Sequence, residues 1–202
     1  KASLEKATDV ELLINADEPS LASLGRGVAH TKYYYGIETR IDMGSMDLTK
    51  DNVFCKFCGE RLHYDHYFYG QLGHYACTKC HFKRPSPDFK AFIQDFDHER
   101  ELTVAGSDGF KVVKSLDTKE TYSIYNTLAA VSVGRLLGND AETIEKGLEH
   151  YRPQVGRLER FYIGKPITLN LAKNPVGFNE SMKLVVQDKH SNDVSTSNND
   201  LP

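Results

Sequence analysis

Four cysteines carry the most specific chemical signal in the sequence. Cys55 and Cys58 form one C-x-x-C pair, Cys-Lys-Phe-Cys, and after eighteen intervening residues Cys77 and Cys80 form a second, Cys-Thr-Lys-Cys. Two residues between cysteines let a tight knuckle aim both sulfurs at a single ion. Two facing knuckles then complete a tetrahedral thiolate site for zinc. Such a site is closed, with no open position for water, so the metal is read as structural rather than catalytic. The competing assignment is two disulfides or four free thiols. Four cysteines in 202 residues are too few for a disulfide scaffold, and paired C-x-x-C units point to metal in a reducing compartment, the cytoplasm. His63, His66, His74 and His81 lie close by, but a four-cysteine set leaves them as solvated or packing side chains. Gly59 follows the first knuckle, where the turn calls for a positive φ.

The segment that must position these thiols stands out from its surroundings. Between about 50 and 88, aromatics, histidines and glycines crowd together without a helical period, and Arg-Leu-His-Tyr through Gly-His-Tyr-Ala supplies the two strands of a ribbon. Lys56, Arg61, Lys79, Lys83 and Arg84 interleave with Tyr64, Tyr67, Phe68 and Tyr69, a mixture able to grip single-stranded nucleic acid. The favoured reading is a small ribbon core with a solvated rim. The formal net charge of -3 supplies no global field for nucleic acid or anionic membrane. No apolar run approaches the roughly 18 residues that span a bilayer, and the first residues lack the layout of a secretion signal.

Around the ribbon the chain reads as α/β. Residues 10–16, Val-Glu-Leu-Leu-Ile-Asn-Ala, form a buried and parallel strand. Asp17 is placed as the N-cap of a short helix with Pro19 in its first turn and Gly25 at its end. Residues 31–38 give a further strand. An Asp-Gly turn at Asp108-Gly109 joins two strands as a hairpin. A helix over 125–137 presents Ile124, Leu128, Val131 and Arg135 on one side, is extended by Leu136 and Leu137, and stops at Gly138. Asp140 caps a second helix to His150. Pro153 and Gly156 mark a linker, residues 166–172 a strand, and Phe178, Met182 and Val185 a helix face; the tail from 189 to 202 is polar.

Three short strings outside the ribbon are weak singly and specific together. They are Tyr-Asn-Thr-Leu-Ala-Ala at 125–130, opening a helix, Gly-Arg-Leu-Glu-Arg-Phe at 156–161 in the linker, and Leu-Asn-Leu-Ala-Lys-Asn-Pro at 169–175 at a strand end. In this order they resemble the Mur ligase family, and Asn-Ala-Asp-Glu-Pro at 15–19 matches that family's central domain. The ribbon together with Leu-Ala-Lys-Asn-Pro-Val-Gly-Phe-Asn-Glu is similar to the branch that amidates lipid II. The resemblance implies an α/β fold: the latter part of a Mur ligase central domain at 1–152, with a mostly parallel sheet, helices and the inserted ribbon. The start of an α/β C-terminal domain would follow at 153–202. It implies that Asn126 hydrogen-bonds the adenine of ATP, that Arg157 reaches its phosphates, and that Lys173 faces the nucleotide as the domains close. It also implies magnesium, a carboxylate activated by phosphoryl transfer, and ammonia from a GatD-like class I glutamine amidotransferase. The carboxylate is the α-carboxyl of D-glutamate in the lipid II stem peptide. The family's phosphate-binding loop, Gly-Thr-Asn-Gly-Lys-Thr, is absent from these residues, so this segment alone is expected to be inactive. The alternatives are a Mur-type or folylpolyglutamate-like ligase that adds an amino acid directly, and a non-catalytic zinc-ribbon module that binds nucleic acid or a partner chain.

Overall fold

The computed structural model of the chain describes residue 6 and residues 8–40, 53–96, 99–116, 121–151, 159–173, 177–178 and 181–182. The chain divides into two compact units, Lys1–His150 and Tyr151–Pro202.

The first unit is built on a five-stranded sheet. Its elements are β1 (Leu12–Asn15), α1 (Pro19–Arg26), β2 (Lys32–Ile37), β3 (His63–Tyr69), β4 (Leu72–Ala76), β5 (Phe89–Phe96), β6 (Glu99–Gly106), β7 (Lys111–Leu116), α2 (Thr121–Leu136) and α3 (Ala141–His150). The sheet order is β1-β2-β5-β6-β7. β1, β2 and β5 pair in parallel, whereas β6 pairs antiparallel with both neighbours. Four of the five strands therefore point the same way, and β6 alone is reversed. Parallel neighbours cannot be joined by a tight turn and need a crossover. α1 makes the crossover from β1 to β2, and the chain between β2 and β5 carries the β3–β4 ribbon.

Apolar side chains on one face of this sheet meet the two later helices. Ile37, Ala91, Ile93, Leu102, Val104 and Val112 are buried against Ile124, Leu128 and Val131 of α2 and Ile144 of α3. Phe68 and Leu72, at the turn end of the ribbon, enter the same core. The expected α2 face is correct in Ile124, Leu128 and Val131, but two boundaries differ. The helix begins at Thr121, so Asn126 lies beyond its first turn rather than opening it. It also ends at Leu136, which leaves Leu137 76% exposed instead of continuing the apolar surface. Gly138 stops the helix as expected, with φ 87 and its N–H on the Arg135 carbonyl at 2.9 Å. Asp140 caps α3 by accepting from the Thr143 amide at 2.8 Å. The β6–β7 hairpin turns at Gly109, φ 84, as the Asp-Gly pair predicts.

Two readings near α1 are corrected. The N-cap is Glu18, whose Oε2 accepts from the Leu21 amide at 2.5 Å, because the Asp17 carboxylate is engaged elsewhere. Gly25 does not end the helix, which runs to Arg26. A Cβ at residue 25 would sit 2.6 Å from Tyr34 Oη and 2.7 Å from Ile14 Cδ1, so the glycine gives α1 room to lie on the sheet. β5 is an element that the sequence patterns above do not anticipate, although Phe89, Ala91 and Ile93 alternate as buried residues along it.

In the second unit, β8 (Glu159–Tyr162) and β9 (Pro166–Leu169) pair antiparallel around Gly164, φ 66. The strand expected over 166–172 is thus shorter. Residues 177–178 and 181–182 are helical, while Val185 and the 189–202 tail lie outside the described residues. No helix among the described residues is long and apolar enough to cross a membrane.

Leu128 is fully buried at the centre of the α2–sheet contact. Leu128→Ala is expected to lower unfolding free energy by about 2–5 kcal/mol, read from the urea midpoint at unchanged slope.

Candidate metal centre and its attachment to the sheet

The two knuckles are built alike. The Cys55 amide donates to the Glu60 carbonyl at 2.7 Å, and the Cys77 amide donates to the Phe82 carbonyl at 2.6 Å. In each, the residue after the second cysteine has a left-handed backbone: Gly59 at φ 72, as expected, and His81 at φ 59. The turn at His81 has no counterpart in the sequence expectations, since histidine gives no such signal.

The four Sγ atoms lie within 4.8 Å of one another, with Cys55–Cys80 at 3.4 Å and Cys58–Cys77 at 3.5 Å. Thiolates about 2.3 Å from a tetrahedral zinc stand about 3.8 Å apart, whereas a disulfide needs about 2.05 Å. The donor set fits a metal ion and excludes disulfide pairing. Amides of Cys80 and then Lys79 pull the Cys77 thiol down to about 7. At Cys58 the Glu60 amide favours the thiolate, yet burial and the neighbouring sulfurs outweigh it and push the thiol up to about 12. Four crowded sulfurs resist collecting negative charge, and a bound cation removes that conflict. Around them pack Ala22, Leu62, Tyr75 and Phe82, a cluster separate from the main core. Phe57 meets Phe82 edge-on, and the Arg26 guanidinium lies over the Phe57 ring at 5.0 Å.

Beneath the ribbon lies a buried polar node. Asp17, 0% exposed, follows β1 at the carboxyl end of the parallel strands. Its Oδ1 accepts from Arg84 Nε at 2.5 Å, and its Oδ2 accepts from the Ile37 amide and the Tyr125 hydroxyl, both at 2.8 Å. Arg84 also donates to Glu38 Oε1 and the Ile37 carbonyl, each at 3.0 Å. Burial pushes the Asp17 carboxyl up, opposed first by Arg84. Burial also works against the Arg84 charge, but Asp17 and Glu38 raise it overall. These directions conflict for one ion pair, and geometry decides it. Three donors face Asp17, so the carboxylate is the form this pocket holds. Removing one partner of such a pair typically costs about 3–5 kcal/mol. The ribbon backbone joins in through Gly73 N–H on the Asp17 carbonyl at 3.0 Å, and His74 Nε2 hydrogen-bonds the Ile37 carbonyl at 2.8 Å.

Of the residues singled out in the sequence, the four cysteines come together. Asn126 is exposed on α2, one position after Tyr125; Lys173 is exposed in the second unit; Arg157 lies outside the described residues. Arg84 is not a rim cation available to phosphate, because the node consumes its guanidinium. Phe68 is buried, and Tyr64 and Tyr67 stack on each other at 4.1 Å, which favours the ribbon-core reading.

No protein-family model matches the sequence. Over 178 residues the chain is 34% identical to the MurT subunit of a glutamine-hydrolysing lipid II isoglutaminyl synthase from Staphylococcus aureus strain COL, an alignment spanning 87% of this chain and 39% of that protein. The corresponding subunit of Streptococcus pneumoniae R6 is 30% identical over 189 residues, 91% of this chain and 40% of the relative. The chain is homologous to part of MurT. It spans about two fifths of the length of these curated relatives. A pseudomurein peptide ligase type C from Methanothermus fervidus has 33% identity and a TM-score of 0.68, covering 83% of this chain and 32% of that one. MurF from Acinetobacter baumannii, at 14% identity and a TM-score of 0.55 over 90% of this chain and 30% of its own, shares the fold. The α/β sheet with its four-cysteine ribbon is thus a Mur ligase-type fold with MurT as a sequence relative.

Removing metal with a strong chelator, or by Cys77→Ser, is expected to loosen the ribbon while retaining most far-UV dichroism, since the ribbon cluster and main core are separate. Metal uptake should weaken as pH falls, and more steeply below about 7 where Cys77 also takes up a proton, because protons compete for the sulfurs; titration against a chromophoric chelator reads the affinity and circular dichroism the fold.

Proposed function

We propose that this chain is part of an ATP-dependent amide ligase that converts the α-carboxyl of D-glutamate in the lipid II stem peptide to D-isoglutamine. The observation that supports the reading is 34% identity to MurT over an alignment spanning 87% of the chain, in a sequence whose ribbon and α2 both meet the carboxyl end of β1. In open α/β sheets, ligands bind outside the carboxyl ends of the strands. The γ-phosphoryl group of ATP passes to the carboxylate, giving an acyl phosphate and ADP. Ammonia attacks the acyl carbon, phosphate leaves with the bonding pair, and a proton is released. The ammonia comes from a GatD-like class I glutamine amidotransferase.

In this reading Asn126 offers a donor and an acceptor to the adenine edge, Arg157 supplies a forked cation to phosphate, and Lys173 adds charge on closure. The family's phosphate loop is not among these 202 residues, so in this reading no residue here is assigned to magnesium and Arg157 and Lys173 are the only phosphate-facing groups named. Residues 1–152 form part of the central domain, and 153–202 the beginning of the C-terminal domain. Cys55, Cys58, Cys77 and Cys80 hold structural zinc. ATP use and a thiolate metal site both suit the cytoplasm. Positioning and charge neutralisation around the moving phosphoryl group supply most of the rate.

The pseudomurein ligase, at 33% identity, favours a second reading in which an amino group attacks directly and no glutaminase is needed. The full-length protein, given ATP, lipid II and glutamine with its glutaminase, is expected to yield carboxamide. Product formed only with a free amino acid would establish the second reading. Asn126→Ala should raise the KM for ATP about threefold to tenfold, measured by ADP release, and an unchanged KM would remove Asn126 from the adenine site.

A further inference from the structure

We infer that metal in the ribbon sets the position of α2 through a relay of Arg84, Asp17 and Tyr125, which makes these three positioning residues for the Asn126 surface. The relay starts at the second knuckle. Cys80 is followed by His81 in its left-handed turn, by Phe82, whose carbonyl holds the Cys77 amide, and, after Lys83, by Arg84, whose amide is fixed on the Tyr75 carbonyl at 3.0 Å. Metal thus fixes the backbone four residues before the guanidinium. Arg84 Nε reaches Asp17 Oδ1, and Asp17 Oδ2 takes the Tyr125 hydroxyl.

Two features make this a relay rather than generic packing. Gly36 lies directly under the guanidinium, where a Cβ would be 2.5 Å from Arg84 Nη2 and 2.9 Å from Asp17 Oδ1. The site therefore accepts Arg84 in one narrow seat. Tyr125 is 7% exposed and spends its hydroxyl on Asp17, so α2 has a polar tie to the node besides its apolar ridge. When the knuckle relaxes, Arg84 leaves that seat. Asp17 then loses its counter-charge and must draw water into the node, and the tie to Tyr125 weakens. The next residue is Asn126. Coupled sites affect each other reciprocally, so α2 also feeds back on the metal.

Only the nucleotide arm of the test rests on the ligase reading. Amide hydrogen exchange is measured on the full-length protein with and without zinc. Amides of 124–128 are expected to lose protection about tenfold on zinc removal, while those of β6 and β7 change little. Tyr125→Phe keeps the ring and cuts only the tie, and in that variant the zinc response of 124–128 should shrink below about threefold. Loss of zinc should also raise the KM for ATP in the native protein and leave that of Tyr125→Phe nearly unchanged. Protection at 124–128 that ignores zinc, or a zinc response equally large in Tyr125→Phe, would overturn the relay. A protein that shows the exchange response but binds no ATP would keep the relay and refute the nucleotide reading.

Discussion

A carboxylate sealed from water has to find its hydrogen bonds within the chain, and Asp17 finds them on three different pieces of it. A strand amide, a helix hydroxyl and a guanidinium from the ribbon converge on its two oxygens. None of these donors can be given up cheaply, because each would leave charge or an unpaired polar group inside. The sheet edge, α2 and the ribbon are therefore fixed against one another by polar geometry as well as by apolar area. Glu18 takes over the capping of α1 that Asp17 would otherwise perform.

What the sequence reveals, and what it hides, follows from distance along the chain. The metal set, the Asp108-Gly109 turn, the Gly138 stop and the Asp140 cap are local patterns, legible within a few residues. β5 also carries a readable alternation at Phe89, Ala91 and Ile93, obscured by the ribbon just before it. The Asp17 node is not readable in this way. Its partners Arg84 and Tyr125 stand 67 and 108 residues away, and the local context of Asp17 matches a helix cap well. Arg84 misleads for the same reason, since a cation among aromatics looks solvated until its distant acids are known.

The ribbon occupies a place where parallel sheets ordinarily have a helix. A helix in that crossover would bury one apolar stripe. The ribbon has its own small cluster, centred on Tyr75 and Phe82 beside the thiols, and among the described residues it lends only Phe68 and Leu72 to the main core. So few buried side chains give little hydrophobic stabilisation on their own, and metal–thiolate bonding is the usual remedy at this size.

The bare backbone at Gly36 links the fates of two distant positions. With arginine at 84, even a methyl group at 36 would collide with the guanidinium. With a short side chain at 84 the clash with the guanidinium vanishes, but that methyl group would still stand 2.9 Å from Asp17 Oδ1, and Asp17 is stranded without its cation. Any lineage or design that abandons the ribbon must therefore change residues 17 and 84 together, or pass through an intermediate with a buried carboxylate that has lost its cation; the glycine at 36 can stay through either change.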